Sequence, residues 1–258
     1  DFSIKKLFDD IKIQKNEFDV KEILHLLLSI ANNHHRNSNF YTKIDKILNY
    51  IKEDIKQTFS NSELLECISS NHRILLFFIE NKTIEIDETI LSKLAKPEHI
   101  NYFFPEIDSY YIGQPLNLDE YNQENYKNYE KNRKLGENED MICEMIRNDS
   151  VEEFIKYVNK NGMKLNSKIN QSNFETNEFL IERETSFIEY AAFFGSIQIF
   201  QYLKINNVQL TGSLWLYAIH SNKPELIHLL EDDHIEPIDK TYKECIGEAI
   251  KCHHNDMA

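Results

Sequence analysis

Four side chains of the kind that take a soft metal ion lie close together near the end of this 258-residue chain: Cys245, Cys252, His253 and His254. A second pair, His34 and His35, is adjacent in sequence. Thiolate and imidazole at close range are zinc chemistry. The spacing argues against it, because no Cys-x-x-Cys pair occurs and His253 falls where a helix is expected to end. Carboxylates pair at Glu152 and Glu153 and at Asp232 and Asp233. Acid–base catalysis needs two carboxyls in different environments inside one cleft, whereas these occupy helix-surface or loop positions. His220, His228 and His234 read as structural or exposed, and Trp215 as a packing residue. The chain has no Gly-rich phosphate loop and no Gly-x-Ser-x-Gly elbow. The expectation is a protein that is not an enzyme, with no metal and no cofactor.

The elements that would position these residues follow from composition. Apolar residues make up 41% and charged residues 28%, a balance that suits a soluble, folded chain. Six glycines and five prolines are few, which favours helices joined by short connections. The formal net charge is −14, and no basic stripe interrupts it. Nucleic acid and anionic membrane are therefore poor partners, and another protein with a basic surface is a better one. Four cysteines in a chain this long are no disulfide framework, so an intracellular, cytoplasmic location is expected.

One short pattern recurs. It is clearest in Ser186 to Leu203 and again in Ser213 to Leu230. Take as origin the small residue in the middle of the first helix of each unit: Ala191, Ala218 and Ala249, with Cys67 and Met145 in two weaker copies. Three residues earlier stand Ile188, Trp215, Ile246, Leu64 and Ile142; one residue later stand Ala192, Ile219, Ile250, Ile68 and Ile146. These positions share a helix face, with the smallest side chain where two helices approach most closely. Five residues before the origin, Ser186, Ser213, Glu244, Ser62 and Asp140 are expected at the helix start, where Ser and Asp are good N-caps. Four residues after it come Gly195, Asn222, His253, Asn71 and Asp149, all tolerant of a left-handed backbone, so the chain should reverse there. A second apolar helix follows in four units, at Ile197 to Leu203, Pro224 to Leu230, Val151 to Val158 and Arg73 to Ile79. A unit this short cannot bury its own apolar face and must stack on copies of itself.

On these residues the chain resembles the ankyrin-repeat family. Ser186 to Ser196 is similar to the ankyrin inner-helix core. Asn132 to Asn138, Ile142 to Ser150, Ile188 to Gln201 and Ser213 to Glu231 resemble the divergent ankyrin repeats abundant in trichomonad parasites. The Thr-Pro dipeptide of the family is missing, and Glu189, Leu216 and Gly247 stand where its His would be. Looser loops than regular hairpin fingers are therefore expected. The resemblance implies an all-α, ankyrin-like helical-repeat solenoid that binds another protein on its concave face. Carried onto this chain, that face would offer Phe193, Phe194, His220, Ser221, Lys251, Cys252, Arg147 and Asn148, with Ser69 and Ser70 in the weakest copy.

The organisation expected along the chain has four parts. Residues 1–60 form an N-terminal helical cap, with Ile4, Leu7, Phe8 and Ile11 on one face and Val20, Ile23, Leu24, Leu27 and Leu28 on another; Ile44, Ile47, Leu48, Ile51 and Ile55 line a third. Residues 61–110 hold degenerate repeats, with a further weak unit around Ile90 to Phe104. Residues 111–139 form an irregular Tyr- and Asn-rich connection, with a helix late in it as an option. Residues 140–258 carry the clear repeats, interrupted by an insertion over Leu165 to Glu184 and with the last repeat cut short. An alternative function is a structural or regulatory segment of a larger repeat protein, without a ligand face of its own.

Overall fold

The computed structural model describes residues 2–10, 16–33, 39–112, 123–254 and 256–257. Ile11, His34 and His35 lie outside the described residues. The fold is all-α: the described residues hold 17 helices and no strand, and one isolated antiparallel bridge joins Lys168 to Ser186. No helix among them is long and apolar enough to cross a membrane. The chain divides into two compact units, Asp1–Asn32 with Ser38–Glu137, and Asn33–Asn37 with Asn138–Ala258.

The first unit runs through α1 (Phe2–Asp10), α2 (Glu17–Asn33), α3 (Phe40–Thr58), α4 (Asn61–Ile68), α5 (His72–Glu80), α6 (Glu88–Leu94), α7 (Pro97–Ile100), α8 (Phe104–Ile112) and α9 (Gln123–Leu135). Helix α1 packs on α3, α4 on α5 and α6, and α5 on α9. The apolar faces read from sequence turn inward: Val20, Leu24, Leu48, Ile51 and Ile55 are fully buried. The stretch expected to be irregular is largely helical where it is described, since α8 reaches Ile112 and α9 covers Gln123–Leu135. Its anchor is Arg133, buried at 2% exposure. The guanidinium donates to both carboxylate oxygens of Glu106 at 2.7 and 3.0 Å, to Glu130 at 2.7 Å and to the Tyr102 carbonyl at 3.0 Å. The helix that the sequence offered late in this stretch is α9, and its bounds were not legible because a single Arg in a polar run gives no periodic signal.

The second unit holds α10 (Met141–Arg147), α11 (Val151–Asn161), α12 (Glu178–Ile181), α13 (Phe187–Phe194), α14 (Ile197–Ile205), α15 (Leu214–Ser221), α16 (Pro224–Asp232) and α17 (Lys243–Lys251). Helices α10 and α11, α13 and α14, and α15 and α16 form three neighbouring pairs. Across pairs, α10 packs on α13, α13 on α15, α15 on α17, and α11 on α14. Ala191, Ala218 and Ala249 all have zero exposure. Ile142, Ile146, Ile188, Ala192, Trp215 and Ile219 are buried beside them.

The turns follow the chemistry of their residues. Gly195, Asn222, His253 and Asp149 all have positive φ. Asn71 does not: at φ −122° it is extended, and its side chain accepts the Ile74 N–H to cap α5. Three first helices close in the same way, the carbonyls of Met145, Ala191 and Ala249 accepting from the N–H five residues on. The second helices repeat the closure, Val158, Leu203 and Leu230 accepting from Met163, Val208 and Ile235. Helix starts differ more from expectation. Asp140 caps α10, and Glu189 accepts from the Ser186 N–H and hydroxyl in a capping box. Ser62 lies inside α4, whose cap is Ser60, and Glu244 lies inside α17. Ser213 turns away from its own helix and donates to Glu189 at 2.7 Å, tying α15 back to α13. Asp149 also works across pairs, accepting from Gln198 and Ile199 at the start of α14 at 3.0 and 2.9 Å.

Candidate functional site

The residues expected to meet a partner separate into two sets. Asn148 and Lys251 are exposed, and Arg147 and Phe194 are half-buried. Phe193, His220, Ser221 and Cys252 are buried, and as placed they offer a partner no surface. Two local causes account for the burial of Phe193, His220 and Ser221. The Ser221 hydroxyl is used in the turn after α15, donating to the Ala218 carbonyl at 2.6 Å and accepting from the Lys223 N–H at 3.1 Å. The other cause is the insertion between α11 and α13, which folds over α13 and α15.

That insertion is pinned by its own polar side chains. Glu175 accepts the N–H groups of Thr176 and Asn177 at 2.9 and 2.8 Å, and Asn177 caps α12 by accepting from Phe179 at 3.0 Å. Phe179 then lies against the face where a ligand was expected. Its ring stacks on Phe193 at 5.9 Å and meets Tyr217 edge-on at 4.8 Å and His220 at 4.2 Å. The Arg183 guanidinium covers the ring, 4.0 Å from its centroid. Nothing in the sequence of α12 has a period that would reveal this contact, because four helical residues are too few to define a face.

What stays open lies on either side of that cover. Phe194 packs on Tyr190 at 4.7 Å. Arg147 lies 6.0 Å over the Phe194 ring and donates to the Tyr190 hydroxyl at 2.9 Å and the Asn138 carbonyl at 2.7 Å. A cleft of about 490 Å³ opens beside the insertion, lined mainly by polar side chains that include Lys168, Asn170, Gln171, Asn173 and Arg183.

Below the cover is a buried polar trio. His220 on α15, and Glu248 and Cys252 on and just after α17, bring their ligating atoms within 4.8 Å of one another. His220 Nε2 is 2.9 Å from Glu248 Oε1. Cys252 Sγ is 3.3 Å from His220 Nδ1 and 3.7 Å from Nε2. Burial lowers the affinity of the His220 imidazole for its proton and outweighs the opposing hydrogen bond from Glu248. Burial would raise the Glu248 carboxyl, but His220 and Lys251 together carry it below its ordinary value. Burial pushes the Cys252 thiol up to about 12. At neutral pH the trio is thus a neutral imidazole, a carboxylate and a thiol. The composition matches a nucleophile, base and acid, yet this thiol is protonated and has zero exposure, so as placed it is unsuited to attack a substrate.

Of the cluster Cys245, Cys252, His253 and His254, only Cys252 belongs to this trio. Cys245 is buried apart from it, His253 is the exposed left-handed turn residue, and His254 bonds the Ile219 carbonyl at 2.8 Å. Glu248 was the residue missed. Its signal was present in the four-residue spacing to Cys252, which puts both on one side of a helix. Comparison of the chain with protein-family models, with curated proteins and with solved structures finds no match.

Proposed function

We propose that residues 138–258 form a short ankyrin-like solenoid that binds another protein without covalent chemistry. The observation that carries this reading is positional equivalence. Ala191, Ala218 and Ala249 are fully buried on helices that pack in chain order, and the residues three before and one after the first two are buried as well. Each pair thus covers apolar surface that its neighbour cannot bury alone. Packing of this kind leaves surface, not a reaction centre, as what the fold presents to other molecules. The binding surface in this reading is the open part of the inner-helix side: Asn148, Arg147, Phe194 and Lys251, with the polar cleft beside the insertion. The net charge of −14 favours a partner with a basic surface.

The test uses Phe194→Asp, because Phe194 is half-buried at the rim, whereas His220 is buried in the interior. A partner captured by the unaltered chain should be lost by this variant while the emission of Trp215 stays native. Equal recovery by both proteins would contradict the proposed surface. A second reading, a segment of a larger repeat protein with no ligand face of its own, is favoured by one feature. Ile246 and Ile250 on α17 are exposed, whereas their counterparts Ile188, Ala192, Trp215 and Ile219 are buried.

A further inference from the structure

We propose that the cleft beside the insertion takes an extended peptide segment of a partner protein, added as a strand along residues 169–172, with a carboxylate of that segment on Arg183. The inference rests on the reading of this unit as a protein-binding module and names what one part of its surface binds.

The edge is the end of an unfinished ladder. Lys168 and Ser186 form an antiparallel bridge. It is flanked by two bonds, the Ile169 N–H donating to the Thr185 carbonyl at 2.8 Å and the Phe187 N–H to the Ser167 carbonyl at 3.1 Å. In that register Gln171 would pair next with Arg183. It does not, because residue 183 lies in a bend just after α12, while residues 169–172 run on without a turn or bend. The two arms part, and the cleft of about 490 Å³ opens between them, with Ile169, Gln171 and Arg183 in its lining. In an extended chain the backbone groups of alternate residues face opposite edges. By that alternation the Asn170 carbonyl belongs to the far edge, where it accepts from the Asn138 side chain at 2.7 Å. The Ile169 carbonyl and both backbone groups of Gln171 belong to the cleft edge, and none of the three bonds to protein among the described residues. A row of this kind is the template on which a peptide strand is added. An extended chain advances about 3.3 Å per residue, so this edge holds a segment about 13 Å long.

The opposite wall sets what the segment carries. It presents Ile181, 47% exposed, and Arg183. The other charged groups of the lining are engaged: Lys168 pairs with Glu184, and Glu175 accepts from the Thr176 and Asn177 N–H groups. Among the described residues Arg183 meets no carboxylate. Its guanidinium lies over the Phe179 ring and donates to the Phe179 carbonyl at 3.4 Å. A planar guanidinium recognises a carboxylate through two parallel bonds. An acidic side chain is therefore the complement of Arg183, and an apolar neighbour is the complement of Ile181. One acidic position in a segment is consistent with a partner that is basic over the rest of its surface.

The probe is a library of random dodecapeptides displayed on phage and selected on the full chain, from which one enriched peptide is synthesised with a fluorescent label. Enriched sequences should share an Asp or Glu at a fixed position. The labelled peptide should bind at one equivalent by anisotropy and slow the hydrogen exchange of the Gln171 amide. Its affinity should fall roughly tenfold in Arg183→Gln, whose fold is checked by Trp215 emission. Methylating the peptide's own amide nitrogens one at a time requires no change in the protein. Strand addition predicts a loss of roughly fivefold or more at alternate positions and little between them. Failure to enrich any sequence, unchanged affinity in Arg183→Gln, or indifference to methylation at every position would overturn the proposal. Any of these results together with loss of partner capture in Phe194→Asp fails the cleft alone, whereas intact capture in Phe194→Asp fails the broader reading.

Discussion

Truncating Phe179 to alanine tests whether the insertion covers the inner helices. The ring is 4% exposed and touches Phe193, Tyr217 and His220. An aromatic side chain of this size buries on the order of 150 Å². At about 25 cal/mol per Å² that is roughly 4 kcal/mol of apolar burial. Alanine keeps the Cβ, and the Arg183 stem lying over the ring can settle into part of the space. The expected loss is therefore about 3 kcal/mol, at the low end for a Phe truncation. The assay follows from the only tryptophan in the chain. Trp215 belongs to the same unit, is 4% exposed and donates its indole N–H to the Ile235 carbonyl at 2.7 Å. Its emission will shift to the red when that unit unfolds. With a urea m-value of about 2 kcal/mol per M, the midpoint should fall by about 1.5 M. A fall of less than about 0.5 M at unchanged m would mean that Phe179 is not packed as described, and the reason given for the burial of Phe193 and His220 would fail.

Three further outcomes follow from the same packing. Gly195→Ala should lower stability by about 1–2 kcal/mol in urea melts, because φ is +72° there and the new Cβ would come within 2.7 Å of the Lys223 side chain. Glu189→Ala removes the acceptor shared by Ser186 and Ser213 and should cost about 1–2 kcal/mol, while Glu189→Gln should restore much of it; equal losses in both variants would refute the assigned bonds. Arg133→Met leaves the largely buried carboxylate of Glu106 without its partner and should cost about 3–5 kcal/mol by circular dichroism melts. Combining it with Glu106→Gln should recover a substantial part of that loss, and strict additivity of the two changes would count against the pairing.

How much of this could be read in advance depends on the range of the interaction. The faces around Ala191, Ala218 and Ala249 were legible because helical periodicity is local and apolar residues repeat on it. The left-handed turns at Gly195, Asn222, His253 and Asp149 were legible because few residue types tolerate that backbone. Asn71 shows the limit of such reasoning. The same side chain that tolerates the left-handed region also caps helices, and at that position capping of α5 prevails. Ser213 stands at the start of α15, but its backbone is already helical there and its side chain makes no capping bond; its hydroxyl donates to Glu189 on α13 instead.

The contacts that define the site were out of reach for a different reason. Phe179 is brought onto Phe193 and His220 by a 46-residue gap between origins that carries no repeat, so nothing in the pattern says where its side chain goes. The trio of His220, Glu248 and Cys252 spans two successive pairs, and its geometry depends on how far apart those pairs stack. Sequence spacing fixes neighbours on one helix and leaves the distance between helices open. That is why Phe193 and His220, correctly placed on an inner helix, were expected at a surface that the insertion has closed.

The most direct test of the account is a methyl nuclear Overhauser experiment on alanine-labelled protein. Successive stacking predicts that the Ala218 methyl shows cross-peaks to side chains of both α13 and α17, that Ala191 reaches α10 and α15, and that Ala249 reaches α15 but not α10. Cross-peaks from Ala249 to α10, or an Ala218 methyl silent toward one of its two neighbours, would contradict the layered order on which the proposed binding surface depends.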